Sequence, residues 1–151
     1  PLNYKKLMLT RLFLYFSVIF IIGQILNFVS NFQFSIELTL ISQLNTAFVT
    51  ITLVSLNFGM GAVFSNYKEK NPIRVASSQG ASLTFLINII YLVFLIILLF
   101  APISSYFYAI DRGSFASLSA LLYTSIILGT IAFIMSYLSL SNGITHFNKD
   151  V

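Results

Sequence analysis

Five side chains in this sequence are of the types that most often move protons or hold metals: the carboxylates of Glu37, Glu69, Asp111 and Asp150, and the imidazole of His146. They form no cluster at metal-ligand spacing, and with no cysteine in the sequence neither a thiolate site nor a disulfide can form. His146, among the polar residues of the C-terminus, reads as a solvated side chain rather than a ligand or base; the alternative is a proton-sensitive contact. The carboxylates lie outside the long apolar runs, where an ionisable residue would mark an ion path. That argues against an ion-coupled transporter working through this segment. No G-x-x-x-x-G-K-[ST] occurs, so the chain does not bind ATP by a P-loop. The chain is therefore expected not to be an enzyme and to carry no catalytic residue, cofactor or metal of its own.

The remaining polar chemistry is uncharged. Gln43, Thr46, Thr50, Asn57 and Gly61 recur at three-, four- and seven-residue steps, along one face of a helix, with Ser42, Asn45, Thr52 and Gly59 beside them. An unsatisfied amide in hydrocarbon costs several kcal/mol. This face is therefore expected to be buried among helices or to line a wet path, with Gln43, Thr46 and Thr50 as interhelical or lining residues. Gln24 and Asn27, one turn apart, should likewise point at another helix or at the interface.

Glycines, charges and turn residues converge only between Asn57 and Gly80. Gly59 and Gly61, with Ala62, remove side chains where two backbones can approach or a helix can kink. No strand precedes this G-x-G, so it is not a nucleotide fingerprint. Lys68, Glu69, Lys70 and Arg74 follow, and Asn71-Pro72 has the form of a helix start, Asn as N-cap and Pro at the first position. Ser77, Ser78 and Gly80 belong to the first turns of that helix. The turn over Tyr67, Lys68, Glu69, Lys70, Asn71, Pro72 and Arg74 has two readings. One is a basic juxtamembrane loop held to anionic headgroups by about 1 kcal/mol per Lys or Arg; the other is a docking element for a cytosolic protein.

The elements that carry these residues follow from composition. Of 151 residues, 58% are hydrophobic and 8% charged, against about 25% charged in soluble domains. Such a chain cannot build a water-soluble surface, and the lipid bilayer is its expected solvent. Residues 12–36, 38–67, 75–110 and 113–148 are each free of charge. A helical span needs roughly 20 apolar residues, so each stretch holds one span. The expected fold is all-α: four transmembrane helices in an antiparallel bundle over about 7–29, 38–64, 73–100 and 117–141. The first is too long for a signal-peptide core and has no cleavage pattern after it. The third should end at Ala101-Pro102, leaving Tyr106, Phe107 and Tyr108 as an interfacial aromatic belt before the Asp111-Arg112-Gly113 turn. Ser125, Gly129, Ala132 and Ser136 form a small-residue packing face on the fourth, which Asn142-Gly143 should close. Seven of the eight basic residues then share one side, and only Arg112 lies opposite. The positive-inside rule puts both termini and the central turn in the cytoplasm. The net charge of +4 is explained by that topology and needs no nucleic-acid partner.

At the central stretch a resemblance can be stated. Asn57-x-Gly59-x-Gly61-Ala62-x-Phe64, then Glu69-x-Asn71-Pro72, then Ser77-Ser78-x-Gly80 resembles a pattern near the C-terminal end of a family of bacterial ATP-binding-cassette exporter membrane subunits. It departs from that pattern at Ser65 and Ala81, where proline and glycine are common. The resemblance implies a C-terminal four-helix portion of a longer permease in the inner (cytoplasmic) membrane, which the start at Pro1 suits. It also implies a separate cytosolic ATPase subunit bound at the 65–76 turn, with the remaining permease helices or a second protomer as further partners. Asn57, Gly59, Gly61 and Gly80 would serve as hinge or packing positions, and Gly59 and Gly61 would let the second helix tilt. The competing reading is a tetraspan scaffold or assembly protein without transport, and a third is an energy-independent carrier lined by the polar face.

Overall fold

Each charge-free stretch becomes one long helix. A computed structural model describes residues 4–64, 79–112 and 118–147. It contains α1 (Tyr4–Asn31), α2 (Ile36–Phe64), α3 (Gln79–Asp111) and α4 (Ser119–Phe147), with no strand among the described residues. At 1.5 Å per residue, 28 to 33 residues extend about 42–50 Å. A hydrocarbon core is about 30 Å thick, so the helix ends project into the interfacial layers. All four are long and apolar enough to cross a membrane. The protein is a multi-pass membrane protein, and the Phe, Leu and Ile side chains that cover its outside face lipid rather than water.

The contacts give the direction of every helix. Gln24 bonds Gln43, and Asn31 O accepts the hydroxyl of Thr39, so α1 and α2 are antiparallel. Between α2 and α3, Ser35 meets Tyr106, Asn57 meets Asn88, and Phe64 meets Gly80. As numbers rise in one helix they fall in the other, and this pair is antiparallel too. Between α2 and α4, Phe48 meets Gly129, Ser55 meets Ser139, and Gly59 meets Gly143. Here the numbers rise together: the two helices run parallel, side by side. The N-terminus of α1, the C-terminus of α2, the N-terminus of α3 and the C-terminus of α4 therefore lie at one end of the bundle.

α2 is the axis of the packing. It touches each of the other three helices, most extensively α4, and its buried residues (Leu38, Ile41, Thr50, Thr52, Leu56, Gly59) accordingly fall on more than one face. α4 answers with a single stripe, buried at Leu121, Ser125, Leu128, Ala132, Ser136, Ser139 and Gly143. Three- and four-residue steps keep these positions on one face; of the small-residue face expected at Ser125, Gly129, Ala132 and Ser136, all but the half-buried Gly129 lie within it, and Gly129 faces Phe48. Lipid tails give helices no hydrophobic reason to associate, so close backbone contact and hydrogen bonds supply the attraction.

Two boundaries differ from expectation. α3 does not stop at Ala101-Pro102 but continues to Asp111 with Pro102 buried inside it. The hydroxyls of Ser104 and Ser105 both donate to Ala101 O, at 3.0 and 2.8 Å, in the turn that follows the proline. Tyr106 is 4% exposed and bonds Ser35, anchoring the turns beyond the proline to α2. The aromatic run Tyr106–Tyr108 is thus helical, with Phe107 edge-on to Phe34 and Arg112 over the Tyr108 ring. α4 likewise runs through Asn142-Gly143 to Phe147, so His146 belongs to its last turn and not to a tail.

Candidate functional site

The end of the bundle where residues 65–78 join α2 to α3 is built from glycine and serine. A Cβ placed on Gly59 would collide with the hydroxyl and the backbone carbonyl of Ser139. One placed on Gly143 would sit 3.1 Å from Gly59 Cα and O and 3.3 Å from Ala62 Cβ. Two glycines face each other across the α2–α4 interface, and the backbones approach as only glycine permits. Ser139 Oγ adds a buried hydrogen bond to Ser55 O at 3.0 Å. On the other side of α2, the missing side chain of Gly80 is filled by Phe64. The last turns of α2, the first of α3 and the last of α4 are therefore locked together.

Of the two roles expected of these glycines, close approach and kink, Gly59 and Gly80 take the first. Gly59 is a contact position whose space is already taken by α4, and α2 runs unbroken through it. Gly61 meets nothing within 4 Å on its missing side chain and takes no part in packing among the described residues. Asn57, exposed to the surroundings, donates to Leu53 O at 2.7 Å and accepts from Asn88 at 2.8 Å. Asn88 is thus one half of an amide pair between α2 and α3.

The polar stripe of α2 splits between neighbours. Gln43 Nε2 donates to Gln24 O at 3.2 Å, and Gln24 Nε2 returns the bond to Gln43 O at 3.1 Å. Thr46 and Thr50 donate to the carbonyls four residues back, at 2.9 and 2.8 Å, with Gly23 of α1 against both. Gln43, Thr46 and Thr50 thus belong to the α1–α2 seam. The row beside them is the more deeply buried: Thr52 is 0% exposed, and Asn45, Thr52 and Gly59 are all buried.

Tyr67, Lys68, Glu69, Lys70, Asn71, Pro72 and Arg74 lie outside the described residues. Lys6 and Arg11, exposed on α1, stand at the same end of the bundle as the chain ends that this segment joins. Glu37, Asp111 and Arg112 stand at the other. Among the described residues no group of His, Cys, Asp or Glu could hold a metal ion.

The profile of the family described as "Putative ATP-binding cassette" matches residues 1–150. The chain belongs to this family. No curated protein matches it, and no solved structure does. The family's description is that of an ATP-binding cassette, while residues 1–151 contain no P-loop motif.

Gly59 and Gly80 stand out in the sequence as packing positions, whereas Ser139 and Gly143, which complete the contact, do not. The only signal for them was their four-residue spacing in step with the small-residue face from Ser125 to Ser136.

Proposed function

We propose that this chain is the membrane-spanning permease part of an ATP-driven exporter and meets a separate cytosolic ATPase through the turn over Tyr67, Lys68, Glu69, Lys70, Asn71, Pro72 and Arg74. The observation that carries the reading is the family match over residues 1–150 in a chain whose four helices are all of membrane-spanning type. A family described by an ATP-binding cassette, met here as helices without a P-loop, points to nucleotide chemistry on another polypeptide or segment. Seven of the eight basic residues belong to the end that bears this turn, which by the positive-inside rule faces the cytoplasm, where an ATPase has access to ATP.

The packing suggests how force would travel. A push on the turn reaches α2 and α3 directly, and it reaches α4 through Gly59, Ser139 and Gly143, because the three helices are locked at that end. The ends would move as one block rather than by a kink at Gly59. Mixed charges at Lys68, Glu69, Lys70 and Arg74 offer pairing partners of both signs to a docking surface. The test is co-purification of the complete protein from its native membrane. The wild type should retain a nucleotide-hydrolysing subunit, and Glu69→Ala with Arg74→Ala should lose it while remaining folded. A wild-type protein that never retains such a subunit would leave the tetraspan scaffold as the better reading.

A further inference from the structure

Arg11 lies within the apolar span of α1, Leu9–Asn31, and is exposed. Its depth follows from the register of the two antiparallel helices. Gln24 lies against Gln43 and Asn31 against Thr39, which carries Arg11 to the level of Leu56, about 12 Å short of the end of α2 at Phe64. α2 overshoots a 30 Å hydrocarbon core by about 6–7 Å at each end, so this charge stands about 5 Å inside the boundary. A guanidinium at that depth must snorkel to the interface or find a counter-ion. The carboxylates among the described residues, Glu37 and Asp111, are both at the far end of the bundle. None of them can neutralise Arg11.

Tyr15 and Ile19 follow Arg11 at four-residue steps, on the same side of α1 and deeper in the bilayer. They form one wall of a groove of about 560 Å³ between α1, α2 and α3, with Leu53, Phe58 and Leu92 among the residues that complete it. No charged residue lines the groove itself. A cation at the rim with an apolar channel beneath it has the outline of one phospholipid. We infer that this is a lateral site for an anionic phospholipid of the cytoplasmic leaflet, its phosphate paired with Arg11 and one acyl chain laid along Tyr15, Ile19 and Leu92. A guanidinium fork matches phosphate oxygens in a bidentate pair. The exposed Lys6 stands nearer the helix end and adds a second positive charge. A zwitterionic headgroup would bring its own cation to an end that already holds seven of the eight basic residues; a net negative one is drawn there. A neutral lipid would leave Arg11 unpaired, and a soluble anion would leave the groove to bulk lipid.

The test uses the complete protein in lipid nanodiscs and two photoreactive probes, a phosphatidylglycerol and a phosphatidylcholine with the same diazirine-bearing acyl chain. Phosphatidylglycerol should label Tyr15, Ile19 and Leu92 about five-fold more strongly, the factor that one basic contact supplies. Tyr137, exposed on α4 at a similar depth, should show a preference of about two-fold or less. Arg11→Gln should reduce the preference in the groove to the Tyr137 level while leaving phosphatidylcholine labelling unchanged, and Arg11→Lys should keep most of it. Equal labelling of the groove by the two probes overturns the proposal, as does a preference that survives Arg11→Gln. A preference as strong at Tyr137 would mean a general charged belt and no site. Loss of the preference to millimolar inorganic phosphate at constant ionic strength would assign Arg11 to a soluble anion and would also overturn it. The comparison of probes and positions is made on the wild type, so a poorly folding variant does not blunt the test.

Discussion

Gln24 and Gln43 each donate a side-chain amide to the other's backbone carbonyl, at 3.1 and 3.2 Å. The pair joins α1 to α2 inside a bilayer, where no water competes for either group, but the unfolded helices also find partners there. Interhelical hydrogen bonds in membranes therefore average only about 0.6 kcal/mol and reach about 1.7. A double-mutant cycle with Gln24→Leu and Gln43→Leu, read by denaturation in mixed micelles, should return a coupling energy in that range. Additive losses would mean the two amides do not act as a pair.

The two glycines of Gly59-Met60-Gly61 should respond oppositely to the same substitution. Gly59→Ala forces a methyl against the Ser139 backbone, which cannot swing aside as a side-chain tip can, and overpacking of this kind costs about 1–3 kcal/mol. Gly61→Ala enters open space and should be neutral or stabilise the helix by about 0.5–1 kcal/mol. Thermal unfolding of both variants in detergent checks the contrast, and equal effects would refute the close contact between α2 and α4.

At the other end of the bundle, Ser35 Oγ meets both Tyr106 OH at 2.6 Å and the backbone N–H of Leu38 at 3.2 Å. It is both the bridge to α3 and the N-cap of α2. Tyr106→Phe should cost about 0.5–1.5 kcal/mol from the lost bridge. Ser35→Ala should cost more, because a lost N-cap alone is worth about 0.5–2 kcal/mol. Ser35→Thr should retain most of both. The order of unfolding midpoints among the three variants is the measurement.

Sidedness can be read with single thiols, because residues 1–151 contain no cysteine. In intact cells a membrane-impermeant maleimide should label Gln33→Cys, in the connection between α1 and α2, and should reach Lys68→Cys only after permeabilisation. The reverse pattern would invert the topology and remove the cytoplasmic docking surface with it.

Four spans, their order and the gathering of positive charge at one end were all legible in the residues. Each depends only on a local count: about 20 apolar residues for a span, and where Lys and Arg interrupt. Membership of the ATP-binding-cassette family was legible at Asn57–Gly80 for a similar reason, since a motif is local too. Tertiary structure decided what each small or polar residue is for. Pro102 reads as a helix end, yet Tyr106 beyond it is held to Ser35 and the helix continues. Gly143 reads as a stop, yet it is the surface on which Gly59 rests. Gly59 and Gly61 look alike in sequence and differ only because α4 passes one of them. Asn88 acquires a partner only when α2 lies against α3. Local spacing specifies where a helix can exist, but a close contact or an amide pair is a property of two helices at once, and their meeting is set by packing.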